Sequence, residues 1–190
     1  MIIGITGSFG SGKTTVARLF KKFTKGSIID ADRISRELER PNRILWKRIV
    51  REFGRGILKN NEIDRKRLAG IVFDDNKKLK RLNTVTHPYI IKEIKKRIRQ
   101  SNKEVIILDA PLLIEAGVLK MVDKIVVVKT DRKVLMRRLG KSYSRKEVLK
   151  RIKSQLSLRE KMKFADYFID NSRSLKCTEY QVSEICRMVV

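Results

Sequence analysis

Lys13, Thr14 and Thr15 follow three glycines in the stretch Gly7-Ser8-Phe9-Gly10-Ser11-Gly12, and this grouping suits the capture of a polyphosphate. A chain wrapped around several negative charges must aim successive backbone N–H groups inward, in dihedrals that glycine adopts most cheaply. Lys13 adds a full charge for the β- and γ-phosphates. The Thr14 hydroxyl is the expected protein ligand of Mg²⁺, which takes phosphate, hydroxyl and water oxygens. Two elements must hold such a loop. The run Ile2-Ile3-Gly4-Ile5-Thr6 predicts a strand ahead of it, and Val16, Ala17, Leu19, Phe20 and Phe23 predict a helix behind it. The helix start near Gly12 brings the positive end of its dipole to the same anion. Strand, loop and helix in this order make Gly7-x-x-x-x-Gly12-Lys13-Thr14 a P-loop.

Carboxylates come next. Ser27-Ile28-Ile29-Asp30-Ala31-Asp32 reads as a second strand ending in two acids, and Glu104 to Leu113 as a buried strand ending at Asp109 before Pro111. Ligands of an open parallel sheet bind at the carboxyl ends of its strands, so these acids arrive on the edge that carries the P-loop. Asp109 is the candidate to orient Mg²⁺, through water. The alternative use of these acids is as an N-cap for a helix beginning at Arg33, a role that one of Asp30 and Asp32 could serve. Ile125-Val126-Val127-Val128 predicts a fourth strand and Tyr167-Phe168-Ile169 a fifth, with Val182, Ile185 and Val189 on the inner face of a closing helix. Residues 33–101 show helical spacing and no convincing strand, which suggests a helical insertion rather than a plain crossover. Within it His87, the only histidine, precedes Pro88 at a predicted helix start, where capping or packing explains it as well as ligand contact does.

The composition narrows the classes. The chain has 190 residues, with 46 Lys and Arg against 21 Asp and Glu, a formal charge of +25. Such a field attracts polyanions, but the charge is spread over amphipathic segments and aromatics are only 6 %, which disfavours a dedicated nucleic-acid surface. Weak, salt-sensitive, non-specific nucleic-acid binding is all that this charge implies. No apolar run reaches the ~18 residues of a membrane span, so the expectation is a cytoplasmic protein without membrane contact. Cys177 and Cys186 lack metal-ligand spacing and read as reduced structural thiols.

Taken together, the motifs resemble those of the dephospho-coenzyme A kinase family nearly from end to end. The resemblance rests on Ile5-Thr6-Gly7-x-x-Gly10-Ser11-Gly12-Lys13-Thr14-Thr15-Val16-Ala17, Asp30-Ala31-Asp32, Phe53-Gly54 with Ile57-Leu58, and Ile63-Asp64-Arg65 with Leu68-Ala69. It continues through Ile71-Val72-Phe73, Thr86-His87-Pro88 with Ile90, Asp109-x-Pro111-Leu112-Leu113-x-Glu115, Gln155, Ala165-Asp166 and Ile169-Asp170-Asn171. It implies an α/β P-loop kinase-like three-layer fold: a five-stranded parallel sheet flanked by helices, the third strand beside the first, with an inserted helical substrate domain and a helical lid. The whole is one domain, with its nucleotide-binding core at 1–32, 102–132 and 164–190, a coenzyme A-binding insertion at 33–101 and the lid at 133–163.

The resemblance also implies transfer of the ATP γ-phosphoryl to the ribose 3′-hydroxyl of dephospho-coenzyme A, with Mg²⁺. Asp32, Lys13 and Arg137 are then catalytic. Gly10, Ser11, Gly12, Lys13, Thr14, Thr15 and Asn171 bind ATP, although Asn171 is as readily a turn former. Thr6, Asp32, Asp64, Arg65, His87 and Pro111 meet the acceptor, and Thr14 and Asp109 the metal. In the lid the family's paired arginines correspond to Arg137 and Lys141, where lysine lacks the planar fork, with Arg138 or Arg145 as substitutes. Another nucleoside- or nucleotide-type P-loop kinase, or a basic nucleic-acid-associated P-loop protein, are the alternatives.

Overall fold

In the computed structural model, which describes residues 1–189, strands and helices alternate at both ends of the chain and the middle is mainly helical. The chain opens with β1 (Ile2–Gly7), α1 (Lys13–Thr24) and β2 (Ser27–Asp30). There follow α2 (Ala31–Leu38), α3 (Ile44–Phe53), two short strands β3 (Leu58–Lys59) and β4 (Glu62–Ile63), α4 (Arg65–Val72) and α5 (Asn76–Gln100). Alternation resumes with β5 (Ile106–Asp109), β6 (Lys124–Lys129), α6 (Arg132–Leu139), α7 (Arg145–Lys153), α8 (Leu158–Met162), β7 (Tyr167–Asp170) and α9 (Leu175–Val189). Two units result: Met1–Asp30 with the chain from Gln100 onward, and Ala31–Arg99.

The first unit is built on a five-stranded sheet in the order β2-β5-β1-β6-β7, parallel throughout. Parallel strands are covered on both faces, which is why their sequences are apolar runs rather than alternations. On one face Ile3 and Ile5 pack with Val16, Ala17 and Phe20 of α1 and with Val182, Ile185 and Cys186 of α9, all buried. On the other, Gly4 leaves room for the β5–β6 connection: a Cβ there would stand 2.8 Å from the Leu113 side chain and 3.0 Å from that of Val122. The central position of β1 puts the loop after it at the middle of the sheet's carboxyl edge.

The second unit has its own core, Leu45, Ile49, Ile57, Ile63, Leu68 and Val72, against which Leu79, Leu82, Val85, Tyr89 and Ile90 of α5 pack. Three expectations are corrected here. The insertion does contain strands: β3 and β4 form an antiparallel hairpin, Leu58 opposite Ile63, across Asn60 and Asn61. Both asparagines adopt left-handed backbone, φ 50° and 63°, as a two-residue hairpin turn requires. His87-Pro88 does not begin a helix but lies inside α5. Proline removes one i→i−4 hydrogen bond, and the apolar stripe from Leu79 to Ile90 carries the helix through that loss. Asp32 does not end a strand, because β2 stops at Asp30 and α2 starts at Ala31, two residues before the expected Arg33.

The two thiols differ sharply. Cys177 is exposed on the first turn of α9, whereas Cys186 is buried and desolvation pushes its thiol up to about 11. The thiolate is the reactive form. At pH 8.5 a thiol-specific disulfide reagent is therefore expected to titrate one fast thiol per native chain and two after denaturation; two fast native thiols would contradict the packing of α9.

Candidate active site

The loop between β1 and α1 closes on three glycines. Gly10 and Gly12 sit at φ +77° and +86°, left-handed values that carry a penalty for any residue with a Cβ. Space is as restrictive as the dihedrals: a Cβ at Gly12 would lie 2.1 Å from the Asn171 amide nitrogen, and one at Gly7 2.3 Å from the Val128 carbonyl oxygen. Gly12 is also the N-cap of α1, and no side chain caps that end, so the positive pole of the helix closes the loop uncovered. The Lys13 ammonium, nearly buried, donates to the carbonyls of Gly7 at 3.2 Å and Ser8 at 3.0 Å. The Ser11 hydroxyl is buried with no hydrogen-bond partner among the described residues.

Oxygen ligands assemble beside this loop. Thr14 Oγ1 donates to Asp109 Oδ2 at 2.9 Å, and Asp109, at the end of β5, is buried. Strand register sets Asp109 next to Ile5 of β1 and Asp30 of β2, so two carboxylate-bearing positions share the sheet edge. A hydroxyl and a buried carboxylate suit a hard divalent cation, which needs few protein ligands when phosphate and water complete its octahedron.

A third group was not foreseen. Lys161 of α8, within the segment 133–163 that the sequence assigns to a lid, is completely buried. Its ammonium donates to the Pro111 carbonyl at 2.6 Å and to Thr6 Oγ1 at 3.4 Å and pairs with Glu115 at 3.0 Å. Thr6 itself donates to the Pro111 carbonyl at 3.0 Å. Burial pulls the Lys161 pKa down, and the Glu115 charge opposes that pull. Nothing in its spacing distinguishes Lys161 from its solvated neighbours. The sequence does mark the helix itself: Ser157 and Glu160 form a capping box, as Ser144 and Glu147 do for α7.

The hairpin of α6 and α7 rests on the loop. Leu139 occupies the space over Gly10, where a Cβ would come within 2.5 Å of it. Phe9 and Tyr143 meet edge to face, ring centroids 5.4 Å apart, with the Arg151 guanidinium 5.2 Å and 5.0 Å from the two rings. Both adjacent arginines on α6 are exposed, and Arg138 is the one that reaches the loop, its Nη1 3.8 Å from a Cβ position at Gly12. Asn171, buried after β7, donates to the Ser11 carbonyl at 2.8 Å and accepts from the Thr178 hydroxyl at 2.9 Å. It thereby pins the P-loop backbone from α9's side.

Thr6, Ser11, Lys13, Thr14, Asp109, Pro111 and Asn171 are thus gathered in the first unit, whereas Asp32, Asp64, Arg65 and His87 belong to the second. Asp64 is the N-cap of α4, accepting the N–H groups of Lys66 and Arg67 at 3.0 Å each, and these hold its carboxyl below the usual range. Arg65 donates to Glu39 at 2.7 Å, tying the end of α2 to α4. Asp32 is exposed in the first turn of α2, and His87 is half-buried on α5.

Comparison with known proteins places this arrangement. The sequence profile of the dephospho-CoA kinase family matches residues 1–176. A dephospho-CoA kinase of Carboxydothermus hydrogenoformans is 42 % identical over 190 residues, 97 % of this chain and 92 % of that one. Among solved structures, one from Thermus thermophilus superposes with a TM-score of 0.82 at 29 % identity, covering 100 % of this chain and 98 % of the other. The dephospho-CoA kinase of Campylobacter jejuni gives 0.67 at 26 %, covering 99 % and 96 %. The match runs through the helical unit as well as the P-loop unit, and the chain belongs to the dephospho-CoA kinase family.

Proposed function

We propose that the chain transfers the γ-phosphoryl of ATP to the ribose 3′-hydroxyl of dephospho-coenzyme A, giving coenzyme A and ADP, the last step of coenzyme A formation. The observation that carries this reading is the span of the family match, residues 1–176, which includes the whole of Ala31–Arg99 and not only the P-loop. A P-loop alone would leave the acceptor open, since many kinases share it.

In this reading the P-loop amides and Lys13 bind the β- and γ-phosphates, and Arg138, against Gly12, is the lid cation best placed to follow the transferring group. Arg137 would need to turn inward to share that role. Phosphoryl transfer asks little covalent chemistry of the protein, so alignment and charge neutralisation supply most of the acceleration. Asp32, by family resemblance, orients the acceptor hydroxyl and accepts its proton late, as the bond to phosphorus forms. Asp64, Arg65 and His87 belong to the unit assigned to dephospho-coenzyme A. Their bonds within that unit give Asp64 and Arg65 the task of shaping it. Thr14 and Asp109 would hold Mg²⁺, which when bound neutralises phosphate charge. The segment 133–163 is assigned as the lid, and the cytoplasm as the compartment that supplies both substrates.

The test is an ADP-release assay with Mg²⁺-ATP and, in parallel, dephospho-coenzyme A, adenosine, AMP or no acceptor. Turnover confined to dephospho-coenzyme A is expected. Comparable rates with AMP or adenosine would reassign the acceptor, and ADP release without an acceptor would make the chain an ATPase.

A further inference from the structure

Lys161 is the buried charge that the mechanism above does not use. Lysine is almost never fully buried unless paired, and its desolvation costs stability that an apolar side chain of the same length would not lose. Here one acceptor stands opposite each of the three ammonium protons: the Pro111 carbonyl, Thr6 Oγ1 and Glu115 Oε1. Each acceptor belongs to a segment that matters for the site. Thr6 is the last residue before Gly7, where the P-loop begins. Pro111 lies two residues beyond Asp109, whose carboxylate meets Thr14. Glu115 Oε1 also accepts the backbone N–H of Leu156 at 2.9 Å, in the link between α7 and α8. A single ammonium therefore ties together the end of β1, the loop after β5 and the root of the helical hairpin that rests on Gly10.

We infer that Lys161 is a positioning residue for phosphoryl transfer: it clamps the Thr6 and Pro111 segments together, and so fixes Asp109 against the P-loop. It touches neither substrate. Its effect should fall on turnover, where small displacements of aligned groups cost most, and not on the affinity for ATP. Of the groups facing the ammonium, Thr6 on β1 and the Pro111 carbonyl are neutral, and Glu115 carries the charge that keeps Lys161 protonated against its burial.

Two measurements separate this role from a merely structural one. The first compares Lys161→Met with Lys161→Met/Glu115→Gln. The single variant strands the Glu115 charge and is expected to melt well below the wild type. The double variant removes that charge and is expected to regain most of the melting temperature, yet to keep kcat at least 10-fold down with KM for ATP within threefold. The second uses Glu115→Gln alone, which preserves shape and an acceptor but not the counter-charge. Lys161 then loses its proton at lower pH, and the alkaline limb of the kcat–pH profile should move acidward. Recovery of kcat together with stability in the double variant would overturn the proposal. So would a Glu115→Gln profile that superimposes on the wild type, and that result decides the matter if neither Lys161 variant folds.

Discussion

Lys13→Ala is expected to lower kcat/KM for ATP by about 10³-fold or more, with the melting temperature changed by only a few degrees. Removal of one preorganised donor from a site of developing charge typically costs 10²–10³, and Lys13 supplies a full charge as well. The structure adds a second loss. The Lys13 ammonium bridges the carbonyls of Gly7 and Ser8, so it shapes the mouth of the loop before any phosphate arrives. Truncation should therefore weaken nucleotide binding in the ground state and not only in the transition state. Titration with ATP should show a raised Kd alongside the fall in kcat, whereas a fall in kcat with unchanged Kd would mean that the loop keeps its shape without the lysine. The fold should tolerate the change because the core under α1 consists of Val16, Ala17 and Phe20, none of which relies on Lys13 for packing.

How far a sequence reveals such a site depends on whether a residue's chemistry is local. The P-loop was legible because its glycines, lysine and threonine are consecutive, and the β-branched run before them has the period of its strand. The position of Asp109 was legible for a related reason: a carboxylate closing a buried apolar run falls at the carboxyl edge of the sheet. Asp32 was placed at a strand end rather than in the first turn of a helix because strand and helix abut at Asp30–Ala31 with no glycine or proline to mark the change. The hairpin at Leu58 to Ile63 was hidden by its two-residue strands, though Asn60-Asn61 is a turn signal for left-handed backbone. Lys161 was not legible at all. Its role is made of contacts 50 and 155 residues away, with Pro111 and Thr6, and a lysine among lysines carries no local mark of burial. The same holds for the choice between Arg137 and Arg138. Adjacent residues on a helix point about 100° apart, and only the packing of Leu139 on Gly10 decides which faces the loop.

Asp32→Asn is expected to reduce kcat by about 10²–10⁴-fold, the range of a lost general base, while KM for ATP stays within twofold. The prediction rests on assigning Asp32 to the acceptor. Asparagine keeps the size and one acceptor oxygen of the side chain but can neither take the proton nor oppose charge with charge. A melting curve of the variant separates this loss from a loss of stability. Asp32 is exposed in the first turn of α2, so its replacement by asparagine removes no core packing. The informative control is Asp30→Asn, since Asp30 closes β2 in register with Asp109 and is the other carboxylate of the pair. If Asp32 orients the hydroxyl, Asp30→Asn should retain far more turnover than Asp32→Asn. The reverse order would transfer the role to Asp30 and place the acceptor hydroxyl at the sheet edge rather than at the start of α2. Equal, small losses in both would leave alignment and charge neutralisation as the source of the rate, with no carboxylate needed to receive the proton.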